Sequence, residues 1–443
     1  MRTQRKNLIG LLVFAICVMT LNLQAQFTVT GQYMSRGEYR HGFQSLADTN
    51  QKASLFVSQR ARINAEYKQE KYKIYVSAQD VRTWGSVANA AIDTKGLFSV
   101  FEAYGELNCS KKFSAKIGRQ VLSYDDDRIF GGLDWAMQAR RHDAAVFKYN
   151  LDSTTTMHFG GAYNQNSESN KLIQYTVAGN YKSFQYFWLN KQIKKLNLSF
   201  LALNNGVAYN RVNTTTGVRD SMTLYQQTFG LRTEYKTDKM IGLVYAYYQM
   251  GDDNTNRKTS AVDLCGEIGY KPAKGFLVTL GAEYLSGQSQ TDTAKAYRDV
   301  NHSFNPYYGT NHRFNGYMDY FYVGNHINSV GLLDAYLRLS YTHKKTLLSI
   351  NTHMFNAAAD VKDKSVTTSI AKMNAHLGAE VDFTFSHNFT DGVAVQGGYS
   401  QMFGTATMKA IKGGQLSPLS NWAYVMLIIR PGKVAWTKCG LKM

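Results

Sequence analysis

Proline, cysteine and long apolar runs are all scarce in this sequence. Its 443 residues include only 4 Pro and 4 Cys, against 30 Tyr and 23 Phe. Because proline removes a hydrogen-bond donor from a strand ladder, its scarcity favours long uninterrupted strands and argues against a disordered chain. After residue 25 the longest wholly apolar stretch is 422–429, which is too short for a transmembrane helix. A membrane protein with this sequence would therefore have to span the bilayer with strands.

The cysteines and the acidic runs show no metal or disulfide pattern. Beyond Cys17, which lies near the N-terminus, Cys109, Cys265 and Cys439 are scattered without the spacing of a metal site or a disulfide framework. The run of three aspartates at 125–127 lacks the spacing of a calcium loop and is interpreted as a solvated turn. We therefore expect no metal and no cofactor.

The N-terminus has the layout of a secretory signal peptide. Arg2, Arg5 and Lys6 precede an apolar run at 8–18 that is followed by small and polar residues. We predict a signal peptide over residues 1–25, so that the remainder of the chain is exported.

The charge balance is strongly basic, with a formal net charge of +18. In a protein that stays in the cell this charge would point to nucleic acid as a partner. An exported chain does not meet nucleic acid, and the sequence contains no nucleic-acid-binding motif. The charge therefore predicts a lumen or a loop surface that attracts anions.

Three segments, 58–68, 333–341 and 376–385, alternate polar and apolar residues with the period of two that is typical of β-strands. One face is apolar and carries Ala61, Ile63, Ala65, Tyr67, Leu333, Ala335, Leu337, Leu339, Tyr341, Leu377, Ala379, Val381, Phe383 and Phe385. The opposite face carries Arg60, Arg62, Asn64, Glu66, Asp334, Tyr336, Arg338, Ser340, His376, Glu380, Asp382 and Thr384. In a transmembrane barrel the apolar face contacts lipid and the polar face lines the lumen.

The spacing of the candidate strands favours a barrel over a soluble sandwich. The predicted strands are 26–36, 53–68, 71–84, 98–108, 112–123, 140–150, 153–164, 181–192, 195–206, 221–235, 238–250, 257–270, 274–287, 329–342, 345–357, 375–386, 391–403 and 421–430. Odd-numbered strands are mostly followed by long connections and even-numbered strands by tight turns, as in outer-membrane barrels. The sequence therefore predicts an all-β fold, a transmembrane antiparallel β-barrel of about 18 strands with long outer loops and short periplasmic turns.

The predicted organisation is a signal peptide, one barrel over residues 26–430, and a basic tail over 431–443. Its final strand, at 421–430, is unusually apolar on both faces. We expect an integral protein of the outer membrane that is a monomer, contacts outer-membrane lipid and is inserted by the barrel-assembly machinery.

Two blocks of sequence resemble the alginate-export (AlgE-like) outer-membrane porins. The first block contains Gly118-Arg119-Gln120, Ser123-Tyr124, Asp127-Arg128, Leu133-Asp134-Trp135, Gln138, Arg141 and Asp143. The second block runs from 304 to 321 and leads into 331–339. The likeness covers essentially the whole mature chain. It implies an eighteen-stranded monomeric barrel with an arginine-rich lumen, through which an anionic polyuronate diffuses outwards.

The candidate pore residues are arginines with neighbouring carboxylates. Arginine presents a planar fork of donors that stays protonated, so staggered arginines offer weak successive sites for anions. The predicted pore and solute contacts are Arg60, Arg62, Arg119, Arg128, Arg141, Arg338, Asp127, Asp134 and Asp143. The resemblance implies the contacts at Arg119, Arg128 and Arg141, with the three aspartates as charge partners. For Arg60, Arg62 and Arg338 the alternative is pairing with acids across the lumen, which would only hold the barrel in shape.

A long aromatic segment rich in Gly and Asn, at 304–326, follows an odd-numbered strand. It is either an outer loop folded into the mouth of the barrel or a surface loop. The constriction candidates are Tyr308, His312, Arg313 and Asp319.

These features favour a passive diffusion channel, or porin, for anionic or oligosaccharide-like solutes, with polysaccharide export as the version that the family resemblance implies. The alternatives are a general or nutrient-uptake porin, or a plugged receptor or scaffold barrel without conductance. We do not expect an enzyme, because no serine lies in a recognisable nucleophile motif beside the histidines at 158, 312, 326, 353 and 376.

Overall fold

The computed structural model shows a closed antiparallel β-barrel. It describes residues 26–90, 95–170, 177, 179–212, 214–217, 219–437 and 440–442, and the predicted signal peptide at 1–25 lies outside these residues. The strands are β1 (Gln26–His41), β2 (Ser54–Lys68), β3 (Tyr72–Thr83), β4 (Phe98–Asn108), β5 (Phe113–Gln120), β6 (His142–Asp152), β7 (Thr155–Tyr163), β8 (Ser183–Ile193), β9 (Leu196–Val212), β10 (Arg219–Lys236), β11 (Met240–Asp252), β12 (Lys258–Tyr270), β13 (Phe276–Leu285), β14 (Val300–Asn301), β15 (Leu332–His343), β16 (Thr346–Asn356), β17 (His376–Thr390), β18 (Val393–Gly404), β19 (Ser420–Ile429), β20 (Val434–Thr437) and β21 (Gly440–Lys442). The described α-helices are α1 (Lys295–Arg298) and α2 (Ala406–Lys412), and no described helix could span a bilayer.

Eighteen of these strands form the wall, namely all except β14, β20 and β21. Each wall strand pairs antiparallel with the next, and β19 pairs with β1 to close the barrel, with Tyr33 opposite Ile429 and His41 opposite Asn421. Closure removes the two free edges that an open sheet of these strands would have. The predicted fold class and strand number are confirmed.

The connections at the two ends of the barrel differ in length. Tight turns such as 69–71, 194–195 and 344–345 lie at the same end as residue 26 and residue 430. The long connections lie at the opposite end, and they are 42–53, 84–97, 121–141, 164–182, 286–331, 357–375 and 405–419.

Alternate residues of the wall face lipid and lumen, as the sequence predicts. Ile63 and Val381 are 66% and 38% exposed on the outer surface, whereas Arg60 and Asp382, on the opposite faces of the same two strands, are fully buried. Leu377 is an exception, because it is fully buried although we expected it on the lipid face. The cause is local, since Gly378 takes a φ of +147° and the pairing of β16 with β17 shifts register next to it.

The two apolar faces of β19 have different neighbours. Its outer face contacts lipid, whereas Trp422 and Met426 on the inner face are buried. Trp422 lies edge-on to Trp135 with 5.7 Å between ring centroids, and Met426 packs with Met137. Because residues 121–141 connect β5 to β6, this loop crosses the lumen and covers the inner face of β19.

Part of the predicted tail joins the seam of the barrel. Strand β20 pairs antiparallel with the first residues of β1, with Val434 opposite Val29 and Trp436 opposite Phe27. It lies next to the same edge of β1 as β19, closer to the tight-turn end.

A lysine on the lipid face should destabilise the barrel, whereas a lysine on the adjacent lumenal position should not. Leu280 is 60% exposed in the middle of β13, and its neighbour Thr279 borders a lumenal cavity with Glu234 and Glu267. We expect Leu280→Lys to reduce the free energy of unfolding by about 2–4 kcal/mol and Thr279→Lys to change it little. Urea titration of the folded protein in lipid vesicles measures both, and equal losses would contradict the assignment of the faces.

Candidate functional site

Two loops fold into the lumen and bond to each other there. They are the β5–β6 loop (residues 121–141) and the β13–β15 loop (residues 286–331). The Gly131 N–H donates to the Tyr308 carbonyl at 2.9 Å, and the Thr310 N–H donates to the Asp127 carbonyl at 2.9 Å. The guanidinium of Arg140 donates to the Gly309 carbonyl, also at 2.9 Å. The two loops therefore form one constriction.

The β13–β15 loop is buried inside the barrel. Met318, Tyr320, Phe321 and Tyr322 are all fully buried. His326 is also buried, and burial lowers its pKa to about 3. The ring is therefore neutral, and its Nε2 lies 2.9 Å from the Gly331 carbonyl, where it donates a hydrogen bond. The segment at 304–326 therefore packs inside the barrel, and its role as a constriction stays a prediction.

Arg128 fastens the β5–β6 loop to one side of the wall. Its side chain is fully buried, its Nε donates to Asp263 at 3.0 Å, and its Nη2 lies 2.8 Å from Glu283. The guanidinium also lies 4.6 Å from the centre of the Phe314 ring. A buried cation between two buried carboxylates is an electrostatic anchor, and breaking it would leave uncompensated charge.

Arg60 and Arg62 fasten the same loop to the other side of the wall. Arg60 is fully buried and pairs with Asp134 at 2.9 Å, and it also donates to the Met137 carbonyl at 3.1 Å. Arg62 donates to Gln79 at 2.7 Å and lies 3.8 Å from Asp134. Both arginines therefore contact protein groups rather than an open lumen.

The aspartates at 125–127 lie in the constriction. Both Asp125 carboxylate oxygens accept from the indole N–H of Trp188 at 3.2 Å, and Asp126 is buried beside Arg232 at 3.4 Å. Asp127 accepts from the Ser123 hydroxyl at 2.5 Å, and burial raises its pKa. The interpretation of this run as a solvated turn was wrong, because each carboxylate has a protein partner that holds the loop in place.

His312 and Asp319, two of the predicted constriction residues, lie against the β5–β6 loop. The His312 ring stacks on Trp135 with 4.2 Å between centroids, and its Nδ1 lies 2.6 Å from Asp319. This stack joins the inner face of β19 to the β13–β15 loop.

Arg119 and Asp143 pair at the loop end of β5 and β6. Two parallel hydrogen bonds of 2.9 Å join them, and both side chains are partly exposed. The strand register places Arg119 on the same side of β5 as Ile117, which is exposed on the outer surface. Arg119 and Asp143 border a cavity of about 330 Å³, which Arg140 and Arg141 also line.

Three arginines in the constriction have no carboxylate within 4 Å among the described residues: Arg140, Arg141 and Arg313. Arg313 donates to the Asp126 carbonyl at 3.2 Å, so its charge is not neutralised. We predicted Arg141 and Arg313 but missed Arg140, although the Arg-Arg dipeptide at 140–141 was a visible signal. Guanidinium groups without a carboxylate are free to bind anions.

A cavity lies on each side of the constriction. The outer one has a volume of about 620 Å³ and is lined by Arg140, Arg141, Tyr307 and Tyr308. Five side-chain amides also line it, those of Asn180, Asn205, Gln226, Asn301 and Asn305. The carboxylates of Asp252 and Asp253 line it as well, and they pair with Lys258 at 2.8 Å and Arg257 at 3.2 Å.

The inner cavity has a volume of about 380 Å³ and lies towards the tight turns. Arg313, Arg232 and Arg338 line it, together with Glu234 and Glu267. Arg338 pairs with Glu267 at 3.0 Å, so Arg313 is the arginine of this cavity that has no carboxylate partner. A solute that crosses the barrel would meet unneutralised arginines in both cavities.

The fold is that of 18-stranded outer-membrane porins. No protein-family model and no curated protein matches this sequence. Among solved structures, OccAB4 of Acinetobacter baumannii aligns with 94% of this chain and 99% of its own, at a TM-score of 0.60 and 12% identity. OccK9 (OpdG) of Pseudomonas aeruginosa aligns with 91% of this chain and 98% of its own, at a TM-score of 0.59 and 10% identity. OpdK of Pseudomonas aeruginosa, determined with vanillate, aligns with 93% of this chain and 99% of its own, at a TM-score of 0.55 and 9% identity.

The expected membership of the alginate-export family was wrong, because the similar structures are Occ and Opd porins. The residues that carried the resemblance have local explanations. Arg128 and Asp134 hold the β5–β6 loop against the wall, and Arg119 pairs with Asp143. Short arginine and aspartate motifs of this kind serve loop anchoring in a wide barrel and do not identify a polyuronate.

Proposed function

We propose that this chain is a passive diffusion channel of the outer membrane for small polar solutes, and that it favours anions. The observation that carries this proposal is the position of Arg140, Arg141 and Arg313, which border the two cavities without carboxylate partners. Fixed positive charge in a narrow, partly desolvated passage raises the local concentration of anions.

Small solutes suit this geometry better than a polymer. The two cavities have volumes of about 620 and 380 Å³, and the β5–β6 and β13–β15 loops occupy the space between them. The similar structure determined with vanillate agrees with this size and charge, since vanillate is a small carboxylate. The amide and tyrosine lining of the outer cavity further supports solutes that carry hydroxyl groups.

Liposome swelling tests the solute class. We expect vesicles that contain the protein to swell in solutions of small carboxylates and, more slowly, of neutral monosaccharides of similar size. We expect no swelling with polymeric uronate. Equal rates for anionic and neutral solutes would contradict the preference for anions, and entry of the polymer would contradict the size limit.

A plugged barrel is the second candidate, and a specific observation favours it. Arg128 and the buried residues Met318, Tyr320 and Phe321 hold the two loops tightly inside the lumen. A loop that never moved could close the passage. This candidate predicts no conductance steps in a planar bilayer, whereas the channel predicts discrete steps.

Neutralising the unpaired arginines should lower the preference for anions. We expect the triple variant Arg140→Gln, Arg141→Gln and Arg313→Gln to shift the reversal potential under a KCl gradient towards the value for no selectivity. Each single variant of the three is compared with Arg119→Gln, which removes one guanidinium that pairs with Asp143. A reversal potential that the triple variant leaves unchanged would remove these arginines from the solute path.

A further inference from the structure

The tight-turn end of the barrel carries a ring of lysines. Six of the eight tight turns have two lysines each, within the turn or at the adjoining strand end. They are Lys68 and Lys71, Lys111 and Lys112, Lys194 and Lys195, Lys236 and Lys239, Lys271 and Lys274, and Lys344 and Lys345. We call these twelve residues the turn lysines. These twelve positive charges compare with a formal net charge of +18 for the whole sequence.

The turn lysines are not neutralised by protein carboxylates. Only two acidic residues lie at these six turns, namely Glu70 and Asp238, and the other two turns carry Asp152 and Asp391. Within the described part of the chain, no turn lysine lies within 4 Å of a carboxylate, and eleven of the twelve are exposed, with Lys271 half-buried. Two of them donate to backbone carbonyls, Lys112 to Leu151 at 2.8 Å and Lys345 to Phe389 at 3.1 Å. The ring therefore presents strong unpaired positive charge.

The turn lysines lie next to the lower boundary of the lipid-facing surface. Tyr235, Tyr270 and Phe276 are exposed on the outer surface, and Lys236, Lys271 and Lys274 lie within two residues of them. Aromatic side chains at the ends of transmembrane strands mark the level of the lipid headgroups. The ammonium groups that follow them therefore lie at or just beyond that level.

We propose that the turn lysines bind the headgroups of anionic phospholipids in the leaflet at the tight-turn end. The lysines occur at turns β2–β3, β4–β5, β8–β9, β10–β11, β12–β13 and β15–β16, which spreads them around most of the circumference. A single protein partner would contact only one arc, whereas lipid surrounds the barrel on every side. Anionic headgroups attract lysines near the membrane surface, and salt screens this attraction.

Lipid enrichment in nanodiscs tests the proposal. The mature barrel is assembled in nanodiscs from an excess of a mixture of phosphatidylcholine and phosphatidylglycerol, and the lipid retained per barrel is measured by mass spectrometry. We expect the retained lipid to be richer in phosphatidylglycerol than the mixture supplied, and this enrichment to disappear at high salt. No enrichment at low salt would overturn the proposal.

Variants that remove equal charge at opposite ends separate a local effect from a net-charge effect. The turn variant replaces Lys71, Lys111, Lys194, Lys239, Lys274 and Lys344 by Gln. The control variant replaces six loop lysines by Gln, namely Lys52, Lys295, Lys362, Lys364, Lys372 and Lys409. We expect the turn variant to lose at least half of the enrichment and the control to keep it. Equal effects of the two variants would overturn the proposal.

The measured quantity is the composition of the retained lipid, which does not depend on whether the barrel conducts solutes. Heat-modifiable migration on gels confirms that each variant is folded before the lipid is measured. A turn variant that keeps the enrichment but changes the reversal potential would overturn the lipid site and place the turn lysines in the solute path instead.

Discussion

Replacing Arg128 by methionine is expected to reduce the free energy of unfolding by about 3–5 kcal/mol, because it leaves two buried carboxylates without their cation. These carboxylates are Asp263 on β12 and Glu283 on β13, and the Arg128 guanidinium lies within 3.0 Å of both. Urea titration of the protein in lipid vesicles, followed by tryptophan fluorescence, measures the loss. The same variant should also show noisier single-channel currents, because the β5–β6 loop loses its attachment to this side of the wall.

Arg119→Met is the matched control. It removes an arginine that also makes two short contacts with a carboxylate, but the side chains of Arg119 and Asp143 are 39% and 53% exposed. An exposed ion pair contributes at most about 1 kcal/mol. Equal losses for the two variants would show that burial of Arg128 does not distinguish it from a surface residue.

Excising the inner part of the β13–β15 loop is expected to raise single-channel conductance severalfold. The excised segment is 289–328, which contains the buried constriction residues. The Gln288 N–H donates to the Ser329 carbonyl at 2.8 Å, so a short Gly-Ser linker can join the two ends. A barrel of this strand number is wide enough to hold an aqueous channel, and the loop occupies much of that width.

The control for this excision is the β16–β17 loop. Removing 358–374 with the same linker uses ends that are also hydrogen-bonded, since the Ala357 N–H donates to the Ala375 carbonyl at 2.8 Å. This loop is mostly exposed, so its removal should change conductance little. If the two excisions had equal effects, the β13–β15 loop would not be the constriction.

The strands could be predicted from the sequence because side chains at alternate positions of a wall strand face opposite environments. Lipid on one side and polar contacts on the other place Ile63 outside and Arg60 inside, and this contrast is visible in a single chain. Leu377 departs from the rule because a glycine with positive φ and a register shift turn its side chain inward.

The constriction could be predicted only in part. An aromatic loop after an odd-numbered strand pointed to the segment at 304–326. Which arginines are neutralised could not be read from the sequence, because the partners of Arg128 lie 135 residues away, at Asp263, and further still, at Glu283. Arg140 and Arg313 donate to backbone carbonyls of the other loop instead of to carboxylates, and that depends on how the two loops meet.

Single-channel recording of the unmodified protein in a planar bilayer tests the central claim, which is a constricted pore with unneutralised arginines on both sides of its narrowest part. Discrete conductance steps are expected. Under a KCl gradient, the sign of the reversal potential should show that the pore prefers anions. A folded protein that gives no steps, or one that prefers cations, would contradict this account.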